Sequence, residues 1–127
     1  MTNTHTQASL PRAGDLVWAD LSPTRGGEQS GARPVVVLSD LDFHRRSRLA
    51  IICPITTNRR PWPTKVPLPD GLPAKGAILV DQIRALDRSE RGFRRIGAIP
   101  EEVLNDVRAR LAALVGIDAE VIAAWQS

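Results

Sequence analysis

Four consecutive apolar residues, Val35 to Leu38, constrain the fold more than any other stretch of the chain. Pro34 stands just before them, and proline is tolerated at the first position of a strand rather than in its interior. A short apolar run without alternation is consistent with a strand that is buried on both faces. We therefore expect a strand inside a small closed sheet, with other segments covering both of its faces.

Further segments of strand length are bounded by glycine, proline and polar residues. They cover residues 15–21, 49–55, 64–68 and 77–83, with a shorter one at 94–98. Pro54 predicts a bulge or an edge at the end of the segment 49–55. Residues 40–48 are expected to form a connection with a helical turn. Regularly spaced short strands of this kind are typical of a small barrel.

One long helix is predicted near the end of the chain, beginning at Pro100. Proline suits a first helical turn, and Glu101 and Glu102 suit the positive end of the helix dipole. Gly116 is placed to terminate the helix, and Asp118 to cap a final turn through Val121, Ile122 and Trp125. The expected apolar stripe consists of Val103, Val107, Leu111, Leu114 and Val115. The predicted fold class is α+β, mostly β.

At 127 residues the chain has the length of one domain. We expect a disordered lead-in over residues 1–13, a barrel domain over 14–117 and a short helical turn or tail over 118–127. Cys53, the single cysteine, lies in an apolar run and is expected to be a small buried hydrophobe in a reducing compartment. No apolar run is long enough to span a bilayer, and the first residues lack the core of a signal peptide. These features favour a cytoplasmic protein without a membrane partner.

The charge is unevenly distributed along the chain. Residues 1–99 contain 15 basic and 9 acidic side chains, whereas residues 100–127 contain 2 basic and 5 acidic ones. Almost all of the basic residues are arginines, whose planar guanidinium matches phosphate bidentately. The first part of the chain therefore leans towards an anionic partner. A coding bias towards arginine is the alternative explanation, and composition does not separate the two.

No motif for a metal or a cofactor is found. The two histidines, His5 and His44, have no cysteine or histidine at a metal-binding spacing, and no cofactor is expected. The glycines at positions 26, 27 and 31 precede neither a helix nor a lysine, so they do not form a phosphate loop of the Walker type. His44 is a possible base, but a solvated loop histidine is the stronger interpretation.

Polar side chains instead gather at the mouths of three predicted strands. The long loop before the second strand contains Glu28, Gln29 and Arg33; loops of this length are more often functional than merely connecting. Thr56 and Thr57 follow the third strand. Asp81, Gln82 and Arg84 follow the fifth. Strand ends can converge on one rim of a small barrel, so these three groups could form one site.

The chain resembles the MazF/PemK family of toxin endoribonucleases. Four segments carry the resemblance in the order and spacing of the family: GDLVWADLSPTRGGEQSGARPVVVLS, ICPITTN, GAILVDQIRALD and PEEVLNDVRARLAALVG. The similarity runs from Gly14 to about Gly116, and the pattern from Gly26 to Val37 is its most specific part. The resemblance implies an antiparallel SH3-like barrel, of the MazF/CcdB-like type, that works as a homodimer.

The resemblance also implies an activity. It implies metal-independent, sequence-specific cleavage of single-stranded RNA, chiefly mRNA, to 2′,3′-cyclic phosphate and 5′-hydroxyl ends, which inhibits translation and growth. It further implies a cognate antitoxin with an acidic, disordered tail. The family's arginine falls on Arg33 and its threonine on Thr56. Glu28 matches its glutamate, and Asp81 with Gln82 matches its aspartate–glutamine pair.

The implied roles agree with the chemistry of these side chains. A guanidinium can meet the negative charge that builds on a phosphate under attack. Arg33 is a poor acid and Thr56 a poor base, so we expect Thr56 to position the phosphate or the 2′-hydroxyl. Three groups are candidates for proton transfer: Glu28, Asp81, and Arg33 acting together with a water molecule. Some family members have an arginine where this chain has Leu79, so an acid role for that arginine cannot be transferred.

RNA specificity is expected to come from loop side chains that stack on splayed bases. The candidate loops are residues 40–48 and 58–63. The candidate RNA-binding residues are Arg25, Gln29, Phe43, Arg45, Arg46, Thr57, Trp62 and Arg84. For the dimer, Trp18, Trp62, Trp125 and the helix stripe are candidate contacts, although burial within the monomer is the stronger expectation for each.

Two other functions are weighed against the ribonuclease. One is a non-catalytic barrel toxin that poisons a protein target such as DNA gyrase. The other is a degenerate family member that only binds RNA or an antitoxin. The presence of both Arg33 and Thr56 favours the ribonuclease.

Overall fold

The computed structural model describes residues 10–22 and 31–126. In that part of the chain seven strands form one antiparallel sheet, and two helices follow them. The strands are β1 (Asp15–Asp20), β2 (Ala32–Val37), β3 (Leu49–Thr56), β4 (Lys65–Pro67), β5 (Ala77–Leu79), β6 (Arg84–Asp87) and β7 (Arg94–Ala98). The helices are α1 (Leu41–Arg46), α2 (Glu101–Leu114) and α3 (Ala119–Gln126). The predicted class, α+β and mostly β, is confirmed.

Strand β3 is the centre of the sheet, whose order is β4-β5-β3-β2-β1-β7 with β6 also paired to β3. Along one edge β3 pairs with β2. Along the other it pairs with β6 up to Ile52 and with β5 from Ile55 onward. Pro54 falls between these two partners, where the sheet has a gap beside the residue that lacks an N–H.

The apolar residues of the central strands divide into two clusters, one on each face of the curved sheet. Val36 and Cys53 belong to the cluster that α2 covers with Leu104 and Val107. Val35, Val37 and Ile52 belong to the second cluster, which Leu86 of β6 joins. All three residues of the run at 35–37 are fully buried. The expectation of a strand covered on both faces is therefore confirmed.

The region after β5 differs from the prediction of one strand over 77–83. The strand ends at Leu79, a 3₁₀ turn occupies Val80–Gln82, and β6 begins at Arg84. Strand β6 was not predicted, because its sequence RALD has only one buried apolar residue, Leu86, between charged ends. Asp81 and Gln82 thus lie in a turn between two strands, which changes the direction in which each side chain can point.

Helix α2 ends as its sequence predicts. Gly116 has φ +77°, and the N–H groups of Gly116 and Ile117 donate to the carbonyls of Ala113 and Ala112 at 3.3 and 2.8 Å. This is a Schellman motif. The Asp118 carboxylate then accepts from the N–H of Val121 at 3.0 Å and caps α3. Within the described ranges no helix is long and apolar enough to cross a membrane.

The apolar stripe of α2 is only partly covered. Leu104, which the predicted stripe omitted, is buried, whereas Leu114 and Val115 at the end of the stripe are exposed. Helix α3 has no buried residue, and Trp125 is 85% exposed. Trp18 and Trp62 are also exposed, so the expectation that most tryptophans bury within the monomer is wrong.

His44 is a structural residue on α1 rather than a solvated loop histidine. Its ring is 2% exposed and lies between two partners. Nδ1 donates to the carbonyl of Pro11 at 2.7 Å, so Nε2 accepts from the hydroxyl of Ser39 at 2.7 Å. The same hydroxyl accepts from the N–H of Ile51 at 2.8 Å. His44 and Ser39 therefore connect the segment before β1 to β3. Pro11 belongs to the lead-in that was expected to be disordered up to residue 13.

We expect the free energy of unfolding to fall as the pH drops below about 6.5, the ordinary histidine value. Burial lowers the pKa of His44 below 6.5, and the pKa of an unfolded histidine stays near it. The unfolded chain therefore takes up a proton first, and stability is lost as the pH falls from the unfolded pKa towards the folded one. Urea unfolding at pH 8, 7, 6 and 5 measures this.

The control for this prediction is His44→Asn, whose amide can donate to the Pro11 carbonyl but does not titrate. This variant should lose roughly 1 kcal/mol of stability at pH 8, because the bond to Ser39 is lost. Its stability should then decline less between pH 7 and 5 than that of the wild type. Identical pH slopes for the two proteins would contradict the assignment of the proton linkage to His44.

Candidate functional site

A cavity opens where the pairing of β2 and β3 ends. The paired residues of these strands end at Val35 and Pro54, and the same register continued by two residues sets Arg33 opposite Thr56. Thr56 pairs with Ala77 of β5 along the other edge of β3. The pairing between β2 and β3 ends here, and the cavity lies beyond the last pair, lined by residues of both strands. Arg33 and Thr56 lie on its two sides.

The walls of this cavity, here called the Arg33 pocket, continue the face of the second apolar cluster. In β2, Arg33 follows the alternation of Val35 and Val37. In β3, Pro54 and Thr56 follow Ile52, and in β6, Arg84 precedes Leu86 on the same face. The cavity measures about 230 Å³. It is lined by Arg33, Pro54, Thr56, Leu79, Gln82 and Arg84, among others.

The charge of the Arg33 pocket is positive. Arg33 and Arg84 both line it and both are exposed, and none of its described lining residues is a carboxylate. Two guanidinium groups beside the Thr56 hydroxyl and the Gln82 amide make a surface rich in hydrogen-bond donors. Such a pocket is suited to an anion with several oxygen atoms, such as a phosphate group.

The Thr56 hydroxyl is oriented by the loop that follows it. Its oxygen accepts from the N–H of Asn58 at 3.1 Å, and the Asn58 side chain accepts from the N–H of Arg60 at 2.9 Å. Because the Thr56 oxygen is occupied as an acceptor, its own proton is available to donate towards the cavity. This arrangement fits a residue that positions an oxygen of the ligand rather than one that removes a proton.

The base of the long loop between β1 and β2 borders the same cavity through Leu21. Arg91 holds this base by donating to the carbonyl of Ser22 at 2.7 Å. Asp20 accepts from the N–H and the hydroxyl of Ser22 at 2.9 and 2.7 Å, and these bonds lower the pKa of the Asp20 carboxyl. Arg91 was missed in the sequence, because its contacts are to backbone carbonyls, which leave no pattern.

The structure brings together only some of the predicted site residues. Arg33, Thr56, Gln82 and Arg84 line one pocket. Arg25, Glu28 and Gln29 lie outside the described residues. Thr57 is exposed in the loop after β3. Phe43, Arg45 and Arg46 lie on α1, before the start of β3, and the strand itself is roughly 23 Å long. They are thus at the opposite end of β3 from Thr56 and do not belong to this pocket.

Asp81 and Trp62 line a neighbouring cavity of about 250 Å³, here called the Trp62 pocket. Leu79 and Gln82 are common to both cavities and separate them. The expected role of Asp81 in proton transfer at Arg33 is not supported by this placement. The 3₁₀ turn after β5 places Asp81 in one cavity's lining, whereas Gln82 contributes to both.

Two possible sites are not formed in the structure. Cys53 is fully buried, and burial raises the pKa of its thiol to about 12, so it stays protonated, as expected of a small buried hydrophobe. Among residues 10–22 and 31–126, no three histidine, cysteine, aspartate or glutamate side chains come close enough together to hold a metal ion.

Comparison with known proteins adds to this geometry. The profile of the family described as PemK-like, MazF-like toxin of type II toxin-antitoxin system matches residues 12–115. The chain belongs to this toxin family. It is 35% identical over 107 residues to the endoribonuclease toxin MazF of Escherichia coli K12, covering 84% of this chain and 96% of that protein. It is 33% identical over 106 residues to the endoribonuclease PemK of Escherichia coli, covering 80% of each.

Solved structures of the toxin family have the same fold. The MazE-MazF complex of Deinococcus radiodurans (Form-III) matches with a TM-score of 0.79 and 36% identity, over 86% of this chain and 99% of that one. The MazF crystal structure (Form-I) of the same organism matches with a TM-score of 0.76 and 37% identity, over 84% and 97%. Helix α3 lies beyond the residues that the family profile covers.

The two ends of the long loop between β1 and β2 meet where Gly31 lies against Ser22. This contact, here called the loop neck, leads to a prediction about Gly31. Gly31 has φ +74°, and a Cβ there would lie 1.9 Å from the Ser22 hydroxyl oxygen. Gly31→Ala should lower the free energy of unfolding by roughly 2–4 kcal/mol, through backbone strain of about 1–2 kcal/mol and a further clash. Urea unfolding measures the loss.

Gly71→Ala is the matched control, because Gly71 has φ +91° but no atom within 4 Å of its Cβ position. It should show the backbone strain alone. Equal losses in the two variants would mean that the contact between Gly31 and Ser22 does not restrict the loop neck.

Proposed function

We propose that this protein is a sequence-specific endoribonuclease that cleaves single-stranded RNA, mRNA above all, at the Arg33 pocket without a metal ion. The proposal includes its role as the toxin of a toxin-antitoxin pair, which stops translation and growth. One observation carries it: in a chain of the PemK/MazF-like family, Arg33 and Thr56 face one another across a cationic cavity beyond the last pair of β2 and β3. The relatives named above are endoribonucleases.

The proposed reaction is an internal transfer at phosphorus. The ribose 2′-oxygen forms a bond to phosphorus while the bond from phosphorus to the 5′-oxygen breaks. The proton of the 2′-hydroxyl is lost to a base, and the leaving 5′-oxygen gains a proton. The products are a 2′,3′-cyclic phosphate and a 5′-hydroxyl. Atoms and electrons balance without a redox partner or a cofactor.

The side chains of the pocket suit the charge that this reaction develops. Negative charge grows on the non-bridging oxygens, and fixed donors that meet it there lower the barrier. Arg33 can supply two parallel N–H donors, and Arg84 adds positive charge from β6. The Thr56 hydroxyl, held by the N–H of Asn58, donates to one oxygen and orients the phosphate. Gln82 adds a neutral donor beside them.

The reaction needs a base at the 2′-hydroxyl and a proton donor at the 5′-oxygen. A guanidinium is a poor general acid, so Arg33 is assigned to charge stabilisation rather than to direct proton transfer. Asp81 lines the neighbouring cavity rather than this one. Glu28 lies outside the described residues and remains a candidate base, as does Arg33 acting with a water.

Three partners belong to the proposal: single-stranded RNA, a cognate antitoxin with an acidic tail, and a second copy of the chain. The cationic pocket attracts both RNA and an acidic peptide. Solved relatives include a MazE-MazF complex and an endoribonuclease in complex with its cognate antitoxin. Apolar side chains remain exposed at the end of α2 and on α3, where a second copy could cover them.

We expect Arg33→Ala to lower the cleavage rate of single-stranded RNA in EDTA by about 100- to 1000-fold, since it removes a donor to the developing charge. Arg33→Lys should recover only part of the rate, because an ammonium lacks the planar fork. Arg108→Ala on the exposed face of α2 is the control and should cleave like the wild type. Equal rates for wild type and Arg33→Ala would refute the assignment.

Thr56 offers a second matched pair of variants. Thr56→Val keeps the shape but removes the hydroxyl, and we expect a loss in rate of at least about tenfold. Thr56→Ser keeps the hydroxyl and should recover most of the activity. Mapping of the product ends should find cyclic phosphate at every cut made by the active variants. Full activity of Thr56→Val would exclude the positioning role.

An acidic antitoxin peptide should compete with RNA for the Arg33 pocket. Raising the salt concentration should weaken its inhibition, because screening reduces attraction between exposed charges. Arg33→Ala should bind the peptide more weakly than Arg108→Ala does, measured by fluorescence anisotropy. A peptide that binds the toxin and leaves cleavage unchanged would show that the two ligands occupy separate surfaces.

A further inference from the structure

The Trp62 pocket has features that cleavage at Arg33 does not use. It combines an exposed tryptophan, an exposed carboxylate and a rigid rim beside the cationic cavity. Resting on the proposed function, we propose that it holds one base of the RNA next to the scissile phosphate and that Asp81 selects bases with an exocyclic amino group, cytosine, adenine or guanine, over uracil.

The rim of the pocket is held in place by several hydrogen bonds. The Lys65 ammonium donates to the carbonyls of Asn58 and Arg60, each at 3.1 Å. The Arg110 guanidinium, from α2, donates to the carbonyl of Pro63. The N–H of Val80 donates to the carbonyl of Thr64 at 2.9 Å. The loop after β3 is therefore bound to β4, to α2 and to the 3₁₀ turn.

Trp62 is exposed although its backbone is fixed. Its side chain is 64% accessible, and Pro61 and Pro63 on either side restrict the chain further. A large apolar side chain in a rigid loop cannot readily fold back onto the protein, so its surface remains available to a ligand. Tryptophan in this situation is suited to stacking on an unpaired base, which is the usual mode of single-stranded RNA recognition.

The Asp81 carboxylate can identify the base. Its Oδ2 accepts from the Thr64 hydroxyl at 3.0 Å, which fixes the orientation of the group. In the described part of the chain its Oδ1 has no hydrogen-bond partner. A carboxylate only accepts hydrogen bonds, and an exocyclic amino group donates them. Uracil has carbonyl oxygens at those positions, which the carboxylate repels.

The Trp62 pocket is lined by charges of both signs, with Asp81 against Arg60 and Lys65. Asp81 carries a negative charge that repels a phosphate group. Lys65 already uses two of its three hydrogens on backbone carbonyls. The cavity, of about 250 Å³, has room for a single base. Because Leu79 and Gln82 line both cavities, a base held here is a near neighbour of a phosphate held at Arg33.

The test is cleavage of a randomised single-stranded RNA pool in EDTA, with sequencing of the product ends. The wild type should cut sites that lack uridine at one fixed position relative to the cut. Asp81→Asn should raise the relative cleavage of sites with uridine at that position by at least about tenfold. Preferences at the other positions should not change. Thr64→Val should act in the same direction, because it releases the carboxylate.

Asp70→Asn is the control, since Asp70 is an exposed aspartate in the turn at the other end of β4 and β5. Its profile should match that of the wild type. An unchanged profile in both Asp81→Asn and Thr64→Val would overturn the proposal. A uniform loss of cleavage in Asp81→Asn with all preferences retained would also overturn it and assign Asp81 to proton transfer. A changed affinity for an acidic antitoxin peptide with an unchanged RNA profile would assign the pocket to that partner instead.

A protein that cleaves no RNA would refute the proposed function without settling the base pocket. In that case a binding measurement tests the base pocket. Short oligoribonucleotides that differ at one base are titrated with wild type and with Asp81→Asn, and binding is followed by fluorescence anisotropy. A preference of the wild type for the amino-bearing base, lost in Asp81→Asn, supports the pocket. Equal affinity of the wild type for all four bases overturns it.

Discussion

The change of partners along β3 is the constraint on which the rest of the structure depends. A strand can pair on two edges, and β3 uses one edge for β2 and divides the other between β6 and β5. The pairing with β2 ends at Pro54, whereas β5 continues along the other edge from Ile55 onward. Arg33 and Thr56, two residues beyond that end, line the cationic cavity between the two strands. The apolar clusters on both faces hold the strand in this path.

Polar groups next to the core connect neighbouring elements of the sheet. Asp15 is 5% exposed, and it accepts from the N–H of Arg12 at 2.9 Å and pairs with Arg95 at 3.1 Å. Arg88 donates to the carbonyls of His44 and Ser47 at the end of α1. Burial lowers the pKa of Arg88. These contacts join β1 to β7 and to the chain before β1, and they join α1 to the residue that follows β6.

Local sequence patterns predicted correctly those parts of the fold that depend on runs of apolar residues and on residues that start or end a helix. The buried run at 35–37, the start of α2 after Pro100 and its end at Gly116 are of this kind. Strand β6 could not be predicted, because Leu86 is its one buried residue and its pairing with β3 is a long-range contact. The burial of His44 depends on Pro11, 33 residues away, for the same reason.

The candidate site could be predicted only for residues whose positions are set by strand register and by the alternation of side chains along a strand. Arg33 and Thr56 meet because register and alternation place them on one face, and the family pattern already pointed to both. Asp81 lines the Trp62 pocket rather than the Arg33 pocket, because a 3₁₀ turn replaces the end of the strand predicted over 77–83. Phe43, Arg45 and Arg46 were grouped with the site by residue type, which carries no information on which end of β3 they occupy.

On the proposed function, one hydrogen bond connects the phosphate site to the loop that selects the substrate. The Thr56 oxygen that accepts from Asn58 is also the first anchor of the loop that leads to Trp62. An insertion directly after Thr56 would therefore disturb the phosphate site, whereas exchange of side chains further along the loop would leave it intact. On the proposed function, related toxins can diverge in target by substitution on a backbone of constant length, and this limits how their specificity evolves.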